Sequence, residues 1–410
     1  MPDPLTVERA LSLVLENSKA LPEERIPYLE AEARILREEI CADQDYPPFD
    51  KAMMDGYAVI AADVGEVPRT LRVIQEIPAG TDPGTLRRVE PGTAARIMTG
   101  APLPPGADSV LMVEETGEAP GDSEAVVARA TVRPGQNRAL AGEDIRAGEV
   151  LLGSGDFIGP GEIGVLAALG RTTIRVGGRP RLAVLATGDE LVRPDEEPGP
   201  GRIRNSNGPM LESLARRIGC VVTNLGIAAD DDAVLRDRMA EGLEGEVLVL
   251  SGGVSMGDYD LVEGALRGLG VEILFDRVAI KPGRPFTFGR RGSTLVFGCP
   301  GNPVSSYVIF QVFVRPALRR MMGFAEPITS SHHGALAEPV QQRGGRSGYY
   351  QARAHWNGSG YSVRVLPTSG SADFVSCARG NCLAIVPADR ARMEQGDRIE
   401  FIPLDEILER

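Results

Sequence analysis

Histidine is scarce in this chain of 410 residues: there are three, His332, His333 and His355, two of them adjacent. A Ser-His-Asp triad and a histidine-rich zinc site therefore find no support. The five cysteines, Cys41, Cys220, Cys299, Cys377 and Cys382, are odd in number and form no C-x-x-C pair. That argues against a disulfide framework and against a thiolate metal site. No apolar run approaches the roughly 18 residues of a membrane helix. The opening MPDPLTVERA has no basic stretch ahead of an apolar core, so no secretory signal is expected. Basic charge is short as well. Lys and Arg number 44 against 57 Asp and Glu, a net charge of −13, whereas a duplex nucleic-acid partner wants a basic face. The expectation is a soluble, cytoplasmic protein with no membrane or nucleic-acid partner. Any metal it uses should be a hard ion held by oxygens, and a local cationic pocket for a small anion stays compatible with the overall charge.

At roughly 150 residues per domain, a chain of this length holds several domains. Its 49 Gly and 31 Pro imply many turns rather than long helices. The clearest α/β region runs from about 180 to 325. Arg181-Leu-Ala-Val-Leu-Ala-Thr187 is a continuous apolar run, as a strand buried on both faces requires. After a Pro/Gly-rich loop, Leu211, Leu214, Ala215 and Ile218 mark a helix that Ser206 or Asn207 can cap. Strands are expected over 221–226, 247–250, 271–280, 285–289 and 294–298. A closing helix is expected over about 304–322, bent at Pro316. Strands alternating with helices predict a doubly wound, mostly parallel sheet. The flanks at 46–147 and 327–410 read as β, with short apolar pieces between Gly and Pro. Val7, Ala10, Leu11, Val14 and Leu15 give an amphipathic N-terminal helix, and a second helix is expected over Pro27–Ile40. The fold class expected is thus multi-domain α/β plus β.

In an open α/β sheet, ligands bind beyond the carboxyl ends of the strands. Four polar, Gly-rich segments come after apolar strands here: Thr187-Gly-Asp-Glu190, Ser251-Gly-Gly-Val-Ser255, Lys281-Pro-Gly-Arg-Pro285 and Pro300-Gly-Asn-Pro-Val-Ser305. Glycines let backbone amides approach an anion and serine hydroxyls donate to it. Lys281 and Arg284 supply cations; Asp189, Glu190, Asp231, Asp258 and Asp260 supply hard oxygen ligands. Phosphate donors beside carboxylates point to a nucleotide or pyrophosphate held through Mg²⁺. Each segment alone also reads as an ordinary turn, and Asp230–Asp232 as helix-start chemistry. Gly159-Pro-Gly-Glu-Ile-Gly164 matches G-x-G-x-x-G but lacks the βαβ setting of a dinucleotide site, and no P-loop motif is present. Outside the α/β region, Phe49-Asp-Lys-Ala-Met-Met-Asp-Gly-Tyr-Ala58, Met98-Thr-Gly-Ala101 and Gly142-Glu-Asp-Ile145 place Asp55, Thr99 and Asp144 at turns or strand ends.

FDKAMMDGYA, RIMTGAPLP, GEDI, TGDEL, SGGVSMGDYD, AIKPGRP, PGNPVS and the late GS…GNC occur in this order along the chain. With them the sequence resembles the MoeA-type molybdopterin molybdenumtransferases, also seen as the C-terminal domain of gephyrin. The resemblance implies four domains. They are an α/β molybdopterin-binding domain (1–24 and 177–326), a linker domain (25–45 and 148–176), a β-rich domain (46–147) and a C-terminal β-barrel-like domain (327–410). It also implies a homodimer, with the site in a cleft between the α/β domain and the β-rich domain of the other subunit. The activity implied is insertion of molybdenum from molybdate into adenylylated molybdopterin with Mg²⁺-dependent release of AMP, alongside partner enzymes of molybdenum cofactor synthesis.

Carried over residue by residue, the resemblance implies catalytic roles for Asp55, Thr99, Asp144, Glu190, Asp231, Asp260 and Lys281, with Glu190, Asp231 and Asp260 toward Mg²⁺. It implies substrate binding by Ser251, Gly252, Gly253, Ser255, Arg277, Arg284, Pro300, Asn302, Pro303 and Ser371. Arg277 and Arg284 stand where Lys is frequent, and Arg is not a neutral exchange for Lys. Cys299 stands where Leu is common and reads as a small buried residue. Two rivals are a molybdopterin adenylyltransferase-like enzyme and a non-enzymatic pterin-binding scaffold. The flanking β modules disfavour the first; the second is disfavoured because this sequence shows no additional N-terminal domain or long linker.

Overall fold

A computed structural model describes residues 3–253, 261–368 and 370–404. The chain divides into two compact units. One comprises Met1–Glu38, Ser154–Ala167 and Arg171–Arg410; the other comprises Glu39–Gly153 and Ala168–Gly170.

The larger unit is built on a six-stranded sheet. Its order is Val221–Ala228, Arg181–Thr187, Val247–Ser251, Thr294–Cys299, Pro285–Arg291, Glu272–Arg277. The first four strands are mutually parallel and the last two join by antiparallel ladders. The period-2 alternation of a strand explains the continuous apolar runs. Leu182, Val184, Val247 and Val249 enter one core with Leu211, Ala215, Phe286 and Phe313. Ala183, Leu185, Leu248 and Leu250 enter a second core on the other face, with Leu235, Met239, Val262 and Leu266. Helices therefore cover both faces, and the doubly wound, mostly parallel expectation holds.

The N-terminal helix Val7–Asn17 is capped by Thr6, whose hydroxyl accepts from the Arg9 amide. Its Val7, Ala10 and Val14 belong to the first core. The closing helix runs Pro303–Ile309, then a π turn Phe310–Val314, then Arg315–Met322. Pro316 lies in the first turn of the last segment, where its missing N–H is tolerated.

The same unit carries a barrel in which Ser347–Trp356, Tyr361–Val365, His332–Leu336, Arg398–Pro403 and Cys382–Val386 close back on Ser347–Trp356. Two expectations need correction. Val271–Ile280 is not one strand. Glu272–Arg277 stays in the α/β sheet, whereas Ile280–Lys281 pairs in parallel with Ser347 and Gly348 of the barrel. Pro27–Ile40 is not a helix. Glu23–Pro27 is a strand paired with Thr173–Gly177, and Ile35 and Leu36 bridge to Phe157 and Val176. The apolar spacing of that stretch mimics a helical face, but its backbone groups are satisfied by extended partners far along the chain.

The smaller unit holds a six-stranded sheet of order Ser109–Met112, Gly56–Val59, Thr93–Ile97, Arg69–Ile77, Asp122–Ala128, Thr116–Ala119. A short ladder sets Lys51–Ala52 against Arg138–Ala139. Among the described residues, no helix is long and apolar enough to cross a membrane.

Phe286 is the ring on which the first core converges. It is fully buried, with centroids of Phe313 and Phe275 at 4.8 and 5.4 Å. Phe286→Ala should cost about 3–5 kcal/mol, read as a lower urea midpoint for this unit. An unchanged midpoint would show that the ring is not the packing centre.

Candidate active site

The parallel strands end together at Thr187, Ala228, Ser251 and Cys299. The Asp230 amide donates to the Asp189 carboxylate at 3.1 Å between the loops beyond Thr187 and Ala228, while the loops beyond Ser251 and Cys299 are held by neutral hydrogen bonds. The Asn207 carboxamide, at the start of helix Asn207–Ile218, donates to Ser251 Oγ at 2.8 Å and to the Gly301 carbonyl at 2.7 Å. The Gly252 amide donates to the Cys299 carbonyl at 3.1 Å. Gly252 has φ +98°, and a Cβ there would collide with the Thr187 carbonyl. Only glycine lets this turn close over the neighbouring strand end.

These segments bound a cavity of about 540 Å³ lined by Thr187, Glu190, Asn207, Ser251, Asn302 and Phe374, among others. Gly252 and Pro303 also line it. Glu190 is exposed there, its carboxylate folded over Gly188, where a Cβ would block it. Within this lining, two buried side-chain atoms have no hydrogen-bond partner among the described residues: Thr187 Oγ1 and Asn207 Oδ1. Thr187 opens one of the four candidate binding segments without a role of its own there, and Asn207 reads in sequence as a helix cap.

A second cavity, of about 340 Å³, lies between the α/β sheet edge and the barrel. Its lining includes Lys281, Arg284, Arg346, Ser305, Thr368 and Ser371. Among the described residues, its lining holds three cations and no carboxylate. Lys281 is set there by the Ile280–Lys281 pairing with the barrel, and its Nζ lies 5.7 Å from the centroid of the Tyr350 ring. Arg346, just before the strand Ser347–Trp356, escaped the sequence reading, since nothing in Gly-Gly-Arg marks it as facing Lys281.

The Pro300–Pro303 loop forms the wall between the hollows. Pro300 faces the cationic one, Pro303 the other, and Asn302 lines both. Asn302 Nδ2 donates to Ser371 Oγ at 2.9 Å, and the Val304 amide donates to the Ser371 carbonyl at 3.1 Å. Ser306 Oγ donates to the Pro300 carbonyl.

Other expected residues are placed differently. Arg277 ends its strand with Nη2 3.5 Å from Asp276 Oδ2, and it lines neither hollow. Asp231 caps the helix Asp232–Gly242, its Oδ1 accepting from the Ala233 and Val234 amides at 3.0 Å each. Gly253, next after Gly252, has φ +65° and is not part of either lining. Ser255, Asp258 and Asp260 lie outside the described residues.

In the smaller unit, Asp55 and Thr99 do meet. Asp55 Oδ1 accepts from the Thr99 amide at 2.6 Å and from the Thr99 hydroxyl at 2.7 Å. No hydrogen bond joins Asp144 to them among the described residues. Asp55 and Asp144 come after the two strands of the antiparallel Lys51–Ala52/Arg138–Ala139 ladder and so lie beyond its opposite ends. The Asp144 amide donates to the Tyr46 carbonyl.

Comparison with known proteins now decides the family. Residues 5–170 match the MoeA N-terminal region (domain I and II), 183–320 a probable molybdopterin binding domain, and 333–404 the MoeA C-terminal region (domain IV). The chain is 31% identical over 405 residues to the molybdopterin molybdenumtransferase of Staphylococcus aureus strain Mu50, covering 98% of this chain and 96% of that one. The chain belongs to the MoeA family. It is thus a transferase of molybdenum cofactor biosynthesis. The Staphylococcus epidermidis relative of the same name is also 31% identical, over 404 residues. The crystal structure of the MoeA protein of Pyrococcus horikoshii OT3 superposes with a TM-score of 0.84 at 29% identity, covering 98% of this chain and all of that one.

Within this MoeA chain, thiol chemistry has no foothold at the site. Cys299 is fully buried, and desolvation pushes its thiol up to about 12. It is the small packing residue the sequence indicated. Among the described residues, no three His, Cys, Asp or Glu side chains gather as a metal cage. Mg²⁺, however, is commonly held by one or two carboxylates plus substrate phosphates. Glu190, an exposed carboxylate in a cavity also lined by Arg202, Arg204, amides and hydroxyls, fits that open mode.

The Asp55–Thr99 contact sets a titration. The Thr99 amide, and then its hydroxyl, favour the ionised carboxylate and hold its pKa below the usual Asp range. The stabilisation is present above the ordinary Asp value and is lost as pH falls through the lowered one. A carboxyl-carbon NMR titration should give Asp55 a midpoint below ordinary Asp, moving up in Thr99→Ala. An ordinary midpoint in the wild type would contradict the contact.

Proposed function

We propose that this transferase inserts molybdenum from molybdate into the dithiolene of adenylylated molybdopterin, with Mg²⁺-dependent cleavage of the phosphoanhydride and release of AMP. One observation supports the reading: a hollow lined, among the described residues, by three cations and no carboxylate, in a chain of net charge −13, adjoins a larger hollow in which Glu190 stands with Arg202, Arg204, amides and hydroxyls. A tetrahedral oxyanion suits the first, and a pterin linked to a nucleotide suits the second.

In this reading Lys281, Arg284 and Arg346 hold the molybdate charge, and Ser305, Thr368 and Ser371 donate hydroxyl hydrogens to its oxygens. Asn302 and the Pro300–Pro303 loop keep the two guests adjacent. Ser251, Gly252, Gly253 and Ser255 present hydroxyls and amides to the pterin nucleotide. Glu190 is the proposed first Mg²⁺ ligand, with Asp260 and the remaining oxygen of Asp231 as further ones. When bound, Mg²⁺ would neutralise charge on the phosphates of the anhydride. Asp55, Thr99 and Asp144 are proposed to serve the same reaction, and Arg277 to add long-range positive charge. The four-domain division is part of the same reading. We further propose that the protein works in the cytoplasm as a homodimer and receives its nucleotide-linked substrate from a partner enzyme of the same synthesis. Light scattering should then report twice the chain mass.

Glu190→Ala should abolish Mg²⁺-dependent AMP release from adenylylated molybdopterin while circular dichroism stays unchanged. Calorimetry should also show that added Mg²⁺ strengthens AMP binding to the wild type and not to the variant. Full activity in Glu190→Ala would remove this carboxylate from the mechanism.

A further inference from the structure

We infer that Phe374, with Asn207 Oδ1 and Thr187 Oγ1, forms a ring-reading subsite in the larger hollow, taking a flat heteroaromatic ring whose edge carries N–H groups. The inference rests on the proposed function and adds which part of the substrate goes where.

Phe374 is 59% exposed. A phenylalanine ring left in water forgoes a large transfer energy, and single exposed apolar residues need no explanation by themselves. This one lines the larger hollow, whose lining also holds the two unpartnered polar groups of Asn207 and Thr187. It is also held in place. Three residues earlier, Ser371 is fixed to Asn302 and Val304 in the wall between the hollows. Directly after it, helix Val375–Arg379 begins, with Ser376 buried and its hydroxyl bonded to the Asp373 carbonyl. The ring is thus presented at the hollow from both sides along the chain, ready to stack on a planar guest.

The polar edge is set by Asn207 and Thr187, which are 7% and 1% exposed. The Gly301 carbonyl accepts and never donates, so the nitrogen of the Asn207 amide must face it. That fixes the orientation of the carboxamide, and Oδ1 is left buried without a donor among the described residues. Buried acceptors are rarely left so. A phosphate or carboxylate cannot satisfy Oδ1, because acceptor would meet acceptor. The guest group must bring N–H or O–H. Thr187 Oγ1, equally without a partner among the described residues, can donate or accept. An acceptor and a hydroxyl in one lining that also holds an aromatic ring suit the alternating N–H and ring-nitrogen edge of an amino-substituted heterocycle. Adenine and pterin both carry such an edge.

The test titrates the intact protein by calorimetry with AMP, with 6-hydroxymethylpterin, and with ribose 5-phosphate as a control without a ring. The proteins are wild type, Phe374→Ala, Phe374→Tyr and Thr187→Val. Phe374→Ala should weaken one ring ligand about tenfold, Phe374→Tyr should restore it, and Thr187→Val should weaken the same ligand. Ribose 5-phosphate should be indifferent to all three. Loss confined to AMP assigns the subsite to the purine; loss confined to the pterin assigns it to the pterin. The inference is overturned if neither ring ligand responds to Phe374→Ala, or if ribose 5-phosphate weakens equally. If the wild type binds neither AMP nor the pterin, the proposed function itself fails, and the subsite with it.

Discussion

Two neutral carboxamides organise the loops at the carboxyl ends of the strands. Asn207 ties Ser251 to Gly301, and Asn302 ties the next loop to Ser371 of the last domain. Because these two ties use amide donors on hydroxyl and carbonyl acceptors, they consume none of the charged side chains that line the hollows. Lys281, Arg284, Arg346 and Glu190 remain at the hollows for a guest. A frame built from ion pairs would have neutralised the groups that give the hollows their character.

That character is divided. Among the described residues, the smaller hollow gathers Lys281, Arg284 and Arg346 without a carboxylate, and the larger sets Glu190 beside Arg202, Arg204, amides and hydroxyls. Two unit charges 4 Å apart near a protein surface interact by about 4 kcal/mol. Clustered cations therefore raise the energy of the empty site, and an entering oxyanion relieves it. The glycines serve the same end sterically. Gly252 lets the turn after Ser251 close on Thr187, and Gly188 leaves room for the Glu190 carboxylate. Beneath them, Phe286 and its neighbouring rings bury one face of the sheet, so the strand ends stay in register.

Much of this was legible in the sequence where local pattern and global role coincide. Short, β-rich apolar runs such as 181–187 read as strands buried on both faces, and several Gly-rich polar segments after such runs point together to the binding edge. Glu190, Ser251, Lys281 and Asn302 were found that way. Arg346 and Phe374 were not, because their value comes from a barrel that meets the sheet edge, and no spacing rule encodes that meeting. Thr187 and Asn207 were hidden for another reason: a threonine ending a strand and an asparagine starting a helix both have ordinary local explanations. Only burial without a partner among the described residues distinguishes them. Asp231 shows the ambiguity from the other side, since one of its oxygens does cap a helix. The stretch 27–40 misled because apolar residues that pair with distant strands happened to fall at helical spacing.

The central claim is that the two hollows differ in what they hold, the cationic one taking the tetrahedral oxyanion. Crystals soaked in tungstate, a heavy and anomalously scattering analogue of molybdate, test it most directly. The account predicts an anomalous peak among Lys281, Arg284 and Arg346. A peak beside Glu190 with none among those three cations would contradict it.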